Sequence, residues 1–349
     1  MIIHKPFAEE CVENAWPPKP DRLIKTYVVN LDEPATQRWN SIVSLHIPEI
    51  KDLIDSLKLF LLEISPEFKF LIDIIDTELP GIADTLPAPY GDEIKGISQA
   101  SGIPLVIAQD QNGKVYHGRN LDFGFPLSWR NITWPLAEKL RTVTIQVNFT
   151  QNGKLLFETT TFVGYVGVLT GVKPNVFSVS MNERYGFQGG YVGLIEWIFN
   201  INRAQSFNTL AVRDVLTKSS SYSDAVEYLS KTVILAPCYY ILGGPESGQG
   251  IIITRSRKIS DYFEMLGKDN LWFIIETNYD NWKPQPSGDD RLTPAIRCMK
   301  KYGLQNVTFA SLFNVFSSRP VLNKSTVYTA LIELSTGRLE SYLQFCIDS

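Results

Sequence analysis

The sequence predicts a layered α+β protein, because short β-prone segments follow one another along the chain with helical segments grouped between them. A hydrophobic fraction of 44% with only 20% charged residues is typical of a globular chain with a sizeable core, and it excludes a disordered or fibrous protein. The segments do not alternate strictly between strand and helix, which argues against a Rossmann-type parallel sheet. A length of 349 residues is compatible with one large domain or with two smaller ones.

The first third of the chain is predicted to contain one strand followed by two amphipathic helices. Residues 25–31 have β-prone character after a Pro-rich arm. Apolar residues recur at helical spacing over about 33–82, and such faces are compatible with core packing or with contact to lipid. The Pro-rich stretch over 78–89 ends this pattern, and a short helix is predicted over 91–101.

From residue 106 onward the chain is predicted to be mainly antiparallel β-sheet. Asn112-Gly113 and Asn152-Gly153 are dipeptides typical of tight hairpin turns, and the second lies between two β-prone runs. Further strands are predicted at 176–181, 239–242, 250–254, 272–276, 326–334 and 338–343. Helices are predicted at 191–199, 209–218, 223–230 and 308–317, with Ser223 as the N-cap of the third.

Charge and the rarest residues exclude several kinds of chemistry. The formal net charge of -4 is too acidic for a protein that follows a nucleic-acid backbone, so no nucleic-acid partner is predicted. Four scattered cysteines lack the CxxC spacing of a structural zinc site, and neither a metal nor a cofactor is predicted. A histidine-based triad would have to use His4, His46 or His117.

The evidence for a secretory route is divided. Four N-x-S/T sequons favour glycosylation, whereas the first ten residues contain no apolar segment of the length that a signal peptide needs. No run of about 18 apolar residues occurs, so no membrane-spanning helix is predicted. The sequon asparagines are Asn131, Asn148, Asn306 and Asn323.

Four polar clusters end predicted strands or follow loops, where a scaffold usually holds its site residues. Each alone is compatible with a surface turn and an ion pair, but together they supply Arg, Asp and Asn groups without a histidine base. An amidohydrolase with a terminal α-amine as base and an Asn amide at the oxyanion uses this set. A pair of carboxylates from Asp122 and Glu183, as in a glycosidase, is an alternative. The clusters are 117–122, 182–184, 277–280 and 289–291.

The sequence resembles the acid ceramidase family and, more distantly, the N-acylethanolamine acid amidases, which are N-terminal-nucleophile hydrolases of the choloylglycine hydrolase type. The resemblance runs over nearly the whole chain, from Cys11 to Cys346. Tracts at 231–237 and 324–329 favour the ceramidase branch. The motifs that carry the resemblance are at 117–123 (His-Gly-Arg-Asn-Leu-Asp-Phe), 164–171, 182–184, 189–191, 241–244, 277–280 and 289–291.

The resemblance implies an αββα sandwich with an α-subunit-like helical region over 1–105 and a β-subunit-like hydrolase core over 106–349. Self-cleavage into two subunits would expose a cysteine whose thiolate attacks the amide carbonyl, with its own α-amine as base. The expected roles are Arg119 beside the nucleophile, Asp122 on the α-amine, Asn278 in the oxyanion hole, and Arg291 and Glu183 in support.

The resemblance also implies a disulfide between Cys11 and Cys298, and a lysosomal, partly secreted protein. The expected substrates are ceramide and related N-acyl lipids, presented at anionic lysosomal membranes with the help of a saposin-type activator. The helical region over 50–75 is the candidate for a movable lid above the lipid groove.

One segment of the family pattern is missing from this chain. In the family, a Cys-Thr-Ser run stands directly before the strand that leads into the His-Gly-Arg-Asn motif. Here Leu105 passes directly to Val106, with no Cys, Ser or Thr beside Val106. Cys238 lies inside a predicted strand, where we expect a buried apolar side chain. The chain is therefore either an amidase sequence that has lost its nucleophile segment by splicing or through a faulty gene model, or a non-catalytic homologue that binds N-acyl lipids.

Overall fold

The computed structural model describes residues 10–64, 85–94, 105–123, 134–184, 196, 204–284 and 289–346. Several predicted features lie outside this part of the chain. They are the sequon at Asn131, the motif at 189–191, almost all of the helix predicted at 191–199, most of the helix predicted at 91–101, and the apolar residues between 65 and 84.

The larger of the two sheets has eight strands in the order β1-β4-β5-β6-β7-β8-β9-β10. Its neighbours pair antiparallel, except that β1 runs parallel to β4. The strands are β1 (Thr26–Asn30), β4 (Thr144–Gln151), β5 (Lys154–Phe162), β6 (Thr170–Lys173), β7 (Phe177–Glu183), β8 (Cys238–Gly243), β9 (Gly250–Arg255) and β10 (Ser260–Met265).

The smaller sheet has five antiparallel strands in the order β11-β2-β3-β12-β13. Its strands β3 and β12, like β8 and β9 of the larger sheet, are buried along their whole length, because each is covered on both faces. The strands are β2 (Leu105–Gln109), β3 (Val115–Asp122), β11 (Phe273–Glu276), β12 (Thr326–Glu333) and β13 (Arg338–Leu343).

The helices of the described residues complete a four-layer molecule. Helices α5 and α6 cover the eight-stranded sheet, α7 and α8 cover the five-stranded sheet, and the two sheets meet where β8 and β9 contact β2, β3 and β11. This αββα arrangement confirms the predicted fold class. The helices are α1 (Asn40–Ser44), α2 (Ile47–Ile64), α3 (Tyr90–Ile94), α4 (Trp134–Thr142), α5 (Asn208–Lys218), α6 (Tyr222–Lys231), α7 (Leu292–Tyr302) and α8 (Phe309–Ser317).

Local sequence signals explain several turns and helix ends. Asn152 and Gly153 both have positive φ angles, 52° and 68°, and form the tight turn predicted between β4 and β5. The N-cap of α6 is Ser221, whose Oγ accepts the Asp224 N–H at 3.1 Å, so the prediction of Ser223 is wrong. Ser221 has the extended backbone that a cap requires, whereas Ser223 already lies inside the first turn.

The N-terminal region is joined to the core by a strand and a disulfide. Strand β1 is an edge strand of the eight-stranded sheet and pairs with β4. Cys11 is disulfide-bonded to Cys298 of α7, with a Cα–Cα distance of 5.5 Å, as the resemblance implies. The predicted division between residues 105 and 106 falls after the first residue of β2 and stays a prediction.

Helix α2 combines a core contact with an exposed apolar surface. Leu53 is buried and Ile50 packs against the core, while Ile54 and Leu59 are exposed. The helix packs against α4, where Lys139 forms an ion pair with Asp52. No helix among the described residues is long and apolar enough to cross a membrane.

Candidate active site

The candidate site begins on β3, whose residues alternate between two faces of the five-stranded sheet. His117 and Arg119 point between the two sheets and contact β7 and β6. Asn120 points the other way, and its amide nitrogen donates to the carbonyls of Phe316 and Val321 at 3.0 Å each. A single strand therefore supplies polar groups to both sides of its sheet.

Arg119 is a fully buried cation between the two sheets. Its Nη1 donates to the Leu169 carbonyl at 2.5 Å and to the Thr170 hydroxyl at 2.7 Å, and that hydroxyl also contacts the Tyr328 hydroxyl at 2.9 Å. Its Nε and Nη2 have no hydrogen-bond partner among the described residues. Burial lowers the pKa of Arg119 to about 10, which still leaves the guanidinium charged at neutral and acidic pH. Nε and Nη2 together carry three N–H groups that no described residue accepts, and these can stabilise a developing negative charge.

Asp122 ends β3 and receives three donors from outside its own strand. The Thr326 hydroxyl donates to Oδ1 at 2.7 Å, while the Asn323 amide and Arg291 Nη1 donate to Oδ2 at 2.8 and 3.0 Å. Burial raises the pKa of Asp122, and Arg291, Thr326 and Asn323 act against this by lowering it. The carboxylate is held rigidly and is already engaged, which does not suit the general acid of a glycosidase.

Arg291 connects Asp122 to the predicted oxyanion residue. Its Nη2 donates to Asn278 Oδ1 at 3.0 Å, and Asp289 accepts from the same guanidinium at 2.5 and 2.7 Å. Asn278 is fully buried and donates through Nδ2 to the Glu183 carbonyl at 2.9 Å. These two hydrogen bonds fix which end of the Asn278 amide is oxygen and which is nitrogen. The second N–H of Nδ2 is not used by either bond and can donate to another acceptor.

The clusters at 182–184 and 277–280 lie side by side. They belong to β7 and to the loop after β11, which come from different sheets. The Glu183 side chain itself is exposed, and only its carbonyl takes part in these contacts. Three contacts join the clusters: Asn182 Nδ2 to the Thr277 carbonyl, Asn278 Nδ2 to the Glu183 carbonyl, and Arg184 to both oxygens of Asp280.

Comparison with protein families connects this geometry to a known class of enzymes. Residues 105–308, more than half of the chain, match the model of the linear amide C–N hydrolases, choloylglycine hydrolase family. The chain belongs to the choloylglycine hydrolase family. Residues 23–86 match a second model, the beta subunit of N-acylethanolamine-hydrolyzing acid amidase. The two matched regions are separated by residues 87–104, directly before β2.

The chain is an amidohydrolase of the ceramidase type, since acid ceramidases match it over nearly its whole length. The acid ceramidase of Bos taurus is 40% identical over 367 residues, covering 98% of this chain and 92% of that protein. The acid ceramidase of Homo sapiens is 39% identical with the same coverage. The structure of a Caenorhabditis elegans N-acylethanolamine-hydrolyzing acid amidase ortholog is 33% identical and superposes with a TM-score of 0.58, covering 69% of this chain and 99% of that chain.

Strand β2 begins beside Arg119 and Glu276, two of the buried polar residues of the candidate site. Leu105, the first residue of β2, is the Cα partner of Arg119 in β3 and of Glu276 in β11. None of the four cysteines stands at this position in the sequence. Cys11 and Cys298 are joined in the disulfide, Cys346 follows β13, and Cys238 is fully buried in β8.

Cys238 is a structural residue, as the sequence predicts. Burial raises the pKa of its thiol to about 12, so the thiolate that a nucleophile requires is not populated.

Sequence reasoning assigned no site role to several polar residues that surround Arg119 and Asp122. Thr170 and Tyr328 surround Arg119, and Thr326 holds Asp122, but each looks like an ordinary β-prone residue in the sequence. Glu276 is buried beside the start of β2, and this burial raises its pKa well above the usual range. The sequence did contain a sign that Glu276 belongs to the candidate site, because it is a carboxylate at the end of an otherwise apolar strand.

The described sequons differ in accessibility. Asn306 is exposed in a short 3₁₀ turn, whereas Asn148 lies within β4 between β1 and β5 and is only partly exposed. Asn323 is partly buried, and its amide nitrogen is engaged with Asp122. Glycosylation at these positions stays a prediction.

Proposed function

We propose that this chain is built to hydrolyse the amide bond of ceramide and related N-acyl sphingoid lipids, and that it lacks the cysteine segment on which catalysis depends. The arrangement of Arg119, Asp122, Arg291 and Asn278 around the start of β2 carries the proposal. Acid ceramidases are the relatives that match nearly the whole chain, which favours ceramide as the substrate.

The residues present have defined tasks in such a reaction. A cysteine at the start of β2 would attack the amide carbonyl, and its α-amine would take the thiol proton and pass it to the departing amine. Asp122 would anchor that α-amine, and the second N–H of Asn278 would stabilise the oxyanion. The thioester formed would then be hydrolysed by water, which releases the fatty acid and regenerates the thiol. The Arg119 cation beside the sulfur would favour its thiolate form.

The missing segment has support besides the motif. The alignment with the bovine acid ceramidase is 367 residues long, whereas this chain has 349, so the alignment contains positions that are gaps in this chain. A transcript in which an additional exon separates the codons of Leu105 and Val106 supports loss by splicing. A junction that is unbroken in every transcript supports a non-catalytic homologue that binds N-acyl lipids.

N-acylethanolamines are the second candidate substrates. The model of the amidase beta subunit matches residues 23–86, and the amidase ortholog from Caenorhabditis elegans has the same fold. Both lipid classes carry the same secondary amide and differ in the amine that leaves, so a direct comparison of the two substrates decides between them.

A lysosomal, glycosylated protein that works at an anionic membrane with a saposin-type activator completes the proposal. The Cys11–Cys298 disulfide is typical of proteins that pass through an oxidising compartment. Exposed apolar side chains on α2 and in the turn before it, including Leu45, Ile54 and Leu59, supply a surface for contact with lipid. The same helix is the described part of the proposed lid over 50–75.

The test compares the chain as it stands with a variant in which a segment ending in Cys-Thr-Ser is inserted before Val106. We expect the inserted variant to release fatty acid from ceramide at acidic pH, and the unmodified chain to release none. The control is the same insertion with Ala in place of Cys. Turnover by the unmodified chain, or equal turnover by the Ala control, would contradict the cysteine mechanism. Faster release from an N-acylethanolamine would favour the second substrate class.

A further inference from the structure

The loop over 323–326 provides two of the three donors that hold Asp122. Asn323 Nδ2 donates to Oδ2 at 2.8 Å, and the Thr326 hydroxyl donates to Oδ1 at 2.7 Å. The sequence predicts a different role for Asn323, because Asn323-Lys324-Ser325 is a glycosylation sequon. The sugar of an N-glycan would be attached to the same Nδ2 atom.

The hydrogen bonds within the loop fix which atoms face Asp122. Asn323 Oδ1 accepts the Ser325 N–H at 2.9 Å, so the amide nitrogen must be the atom directed at the carboxylate. The Thr326 hydroxyl accepts the Asn323 backbone N–H at 3.1 Å, so its own hydrogen is left for Asp122. Each donor therefore has one orientation that satisfies the loop and the carboxylate together.

The loop is itself fastened to a helix of the core. Arg141 of α4 donates through Nη2 to the carbonyls of Lys324 and Thr326, at 3.2 and 2.7 Å. Thr326 is fully buried, and Asn323 is partly buried beside it. This leaves little freedom for the loop to swing outward and present the asparagine to solvent.

We propose that Asn323 and Thr326 are positioning residues for Asp122, and that the sequon at Asn323 carries no glycan in the folded chain. The charged groups around Asp122 are Arg291 and Asp289 before α7, Arg119 on β3, and Arg141 on α4. Among these groups the loop supplies neutral donors, which orient the carboxylate without adding charge. A role of Asn323 and Thr326 in amide hydrolysis rests on the function proposed above. Their hydrogen bonds to Asp122 do not depend on that function.

The experiment follows the titration of Asp122 in the full chain by NMR of ¹³C-labelled aspartate carboxyls, assigned with Asp122→Asn. Loss of a donor to the ionised form raises a carboxyl pKa, so we expect Asn323→Ala to shift the titration upward by about one pH unit. Thr326→Val, which keeps the side-chain shape, should shift it in the same direction and covers the case in which Asn323→Ala does not fold. The control Ser325→Ala destroys the sequon but keeps the Ser325 N–H, and should leave the titration unchanged.

Glycan occupancy is read from the same variants secreted by a cell line that attaches N-glycans. The parent chain and Ser325→Ala should have glycopeptide maps that agree at residue 323, both without sugar. A glycan on Asn323 in the folded parent would overturn the proposal, and so would titrations of Asn323→Ala and Thr326→Val that match the parent. Neither readout depends on lipid hydrolysis, so absence of amidase activity in the variant with the inserted Cys-Thr-Ser segment would count against the proposed function alone.

Discussion

His117 is a fully buried histidine whose environment permits only the neutral ring. Its two ring nitrogens contact the hydroxyls of Ser178 and Ser180 on β7, at 2.7 and 3.1 Å. Burial, together with the nearby Arg119 cation, lowers its pKa from 6.5 to about 3. The histidine therefore contributes to packing between the sheets and not to acid–base chemistry.

This burial predicts a pH dependence of stability. Because the folded pKa of His117 is below the unfolded value, its contribution is fully present above pH 6.5 and is lost as pH falls toward about 3. Within this window the unfolded chain binds a proton that the folded chain does not, so the free energy of unfolding falls as the pH falls. We expect the free energy of unfolding of His117→Asn to fall less steeply on acidification than that of the parent. Denaturant titrations at a series of pH values measure the free energy of unfolding of both proteins. Parallel plots of this free energy against pH would contradict a neutral, buried His117 ring.

The Asp122–Arg291 pair gives a second prediction at this scale. Removing one partner of a buried ion pair leaves the other charge uncompensated, at a cost of about 3–5 kcal/mol. Arg291→Gln should therefore lower the free energy of unfolding at neutral pH by about that amount. Adding Asp122→Asn should restore part of the loss, because the unpaired carboxylate is removed. A double-mutant cycle without coupling would show that the 3.0 Å contact contributes no stability.

Single residues also explain which parts of the site could be predicted. The motifs at 117–122, 182–184, 277–280 and 289–291 were visible in the sequence because Arg, Asp and Asn stand out at strand ends. The roles of Thr326 and Asn323 were not visible in the sequence. A threonine is common in strands, and an asparagine in a sequon is read as a glycosylation site. Their hydrogen bonds to Asp122 join residues about two hundred positions apart in the sequence.

At the scale of elements, the short helix α3 connects the N-terminal region to α5. Glu93 of α3 accepts from Arg38 at 2.8 Å, from the Trp39 indole at 3.0 Å, and from Arg213 of α5 at 2.5 and 2.8 Å. Burial alone would raise the pKa of Glu93, but Arg213, Arg38 and Trp39 lower it below the usual value. The carboxylate is therefore charged and fully paired.

We predict that Glu93→Gln destabilises the protein by about 3 kcal/mol, because two buried or half-buried arginines lose their counter-ion. The matched control is Glu227→Gln, which breaks the exposed pair with Lys231 and should change stability by less than about 0.5 kcal/mol. Thermal or chemical unfolding of both variants measures the difference. Equal effects of the two substitutions would contradict a structural role for the buried cluster.

Element prediction succeeded where short-range chemistry is strong and failed where tertiary contacts decide. The β4–β5 hairpin follows from Asn152-Gly153, and α8 follows its N-cap Thr308, which forms a capping box with Ser311. Strand β10 was missed because it is an exposed edge without a clear alternation, and its pairing with β9 is what defines it. Helix α7 was missed because Pro294 in its first turn reads as a breaker.

At the scale of the whole molecule, the N-terminal region and the core are parts of one sandwich. The region before residue 105 contributes β1 to the larger sheet, the half-disulfide at Cys11, and the carboxylate of Glu93. Such links would hold the two parts together after the self-cleavage that the sequence resemblance predicts. The overall class was predictable from the order of strands and helices, whereas the pairing of β1 with β4 was not, because it joins segments more than a hundred residues apart.

The central claim is that this chain has an amidase site without a nucleophile, and self-cleavage tests it most directly. On a reducing gel, the chain as it stands should give a single band near 39.4 kDa. The variant with an inserted segment ending in Cys-Thr-Ser before Val106 should give two fragments, and its Cys→Ala control should give one band. Two fragments from the unmodified chain would contradict the claim, and so would an uncleaved, folded cysteine variant.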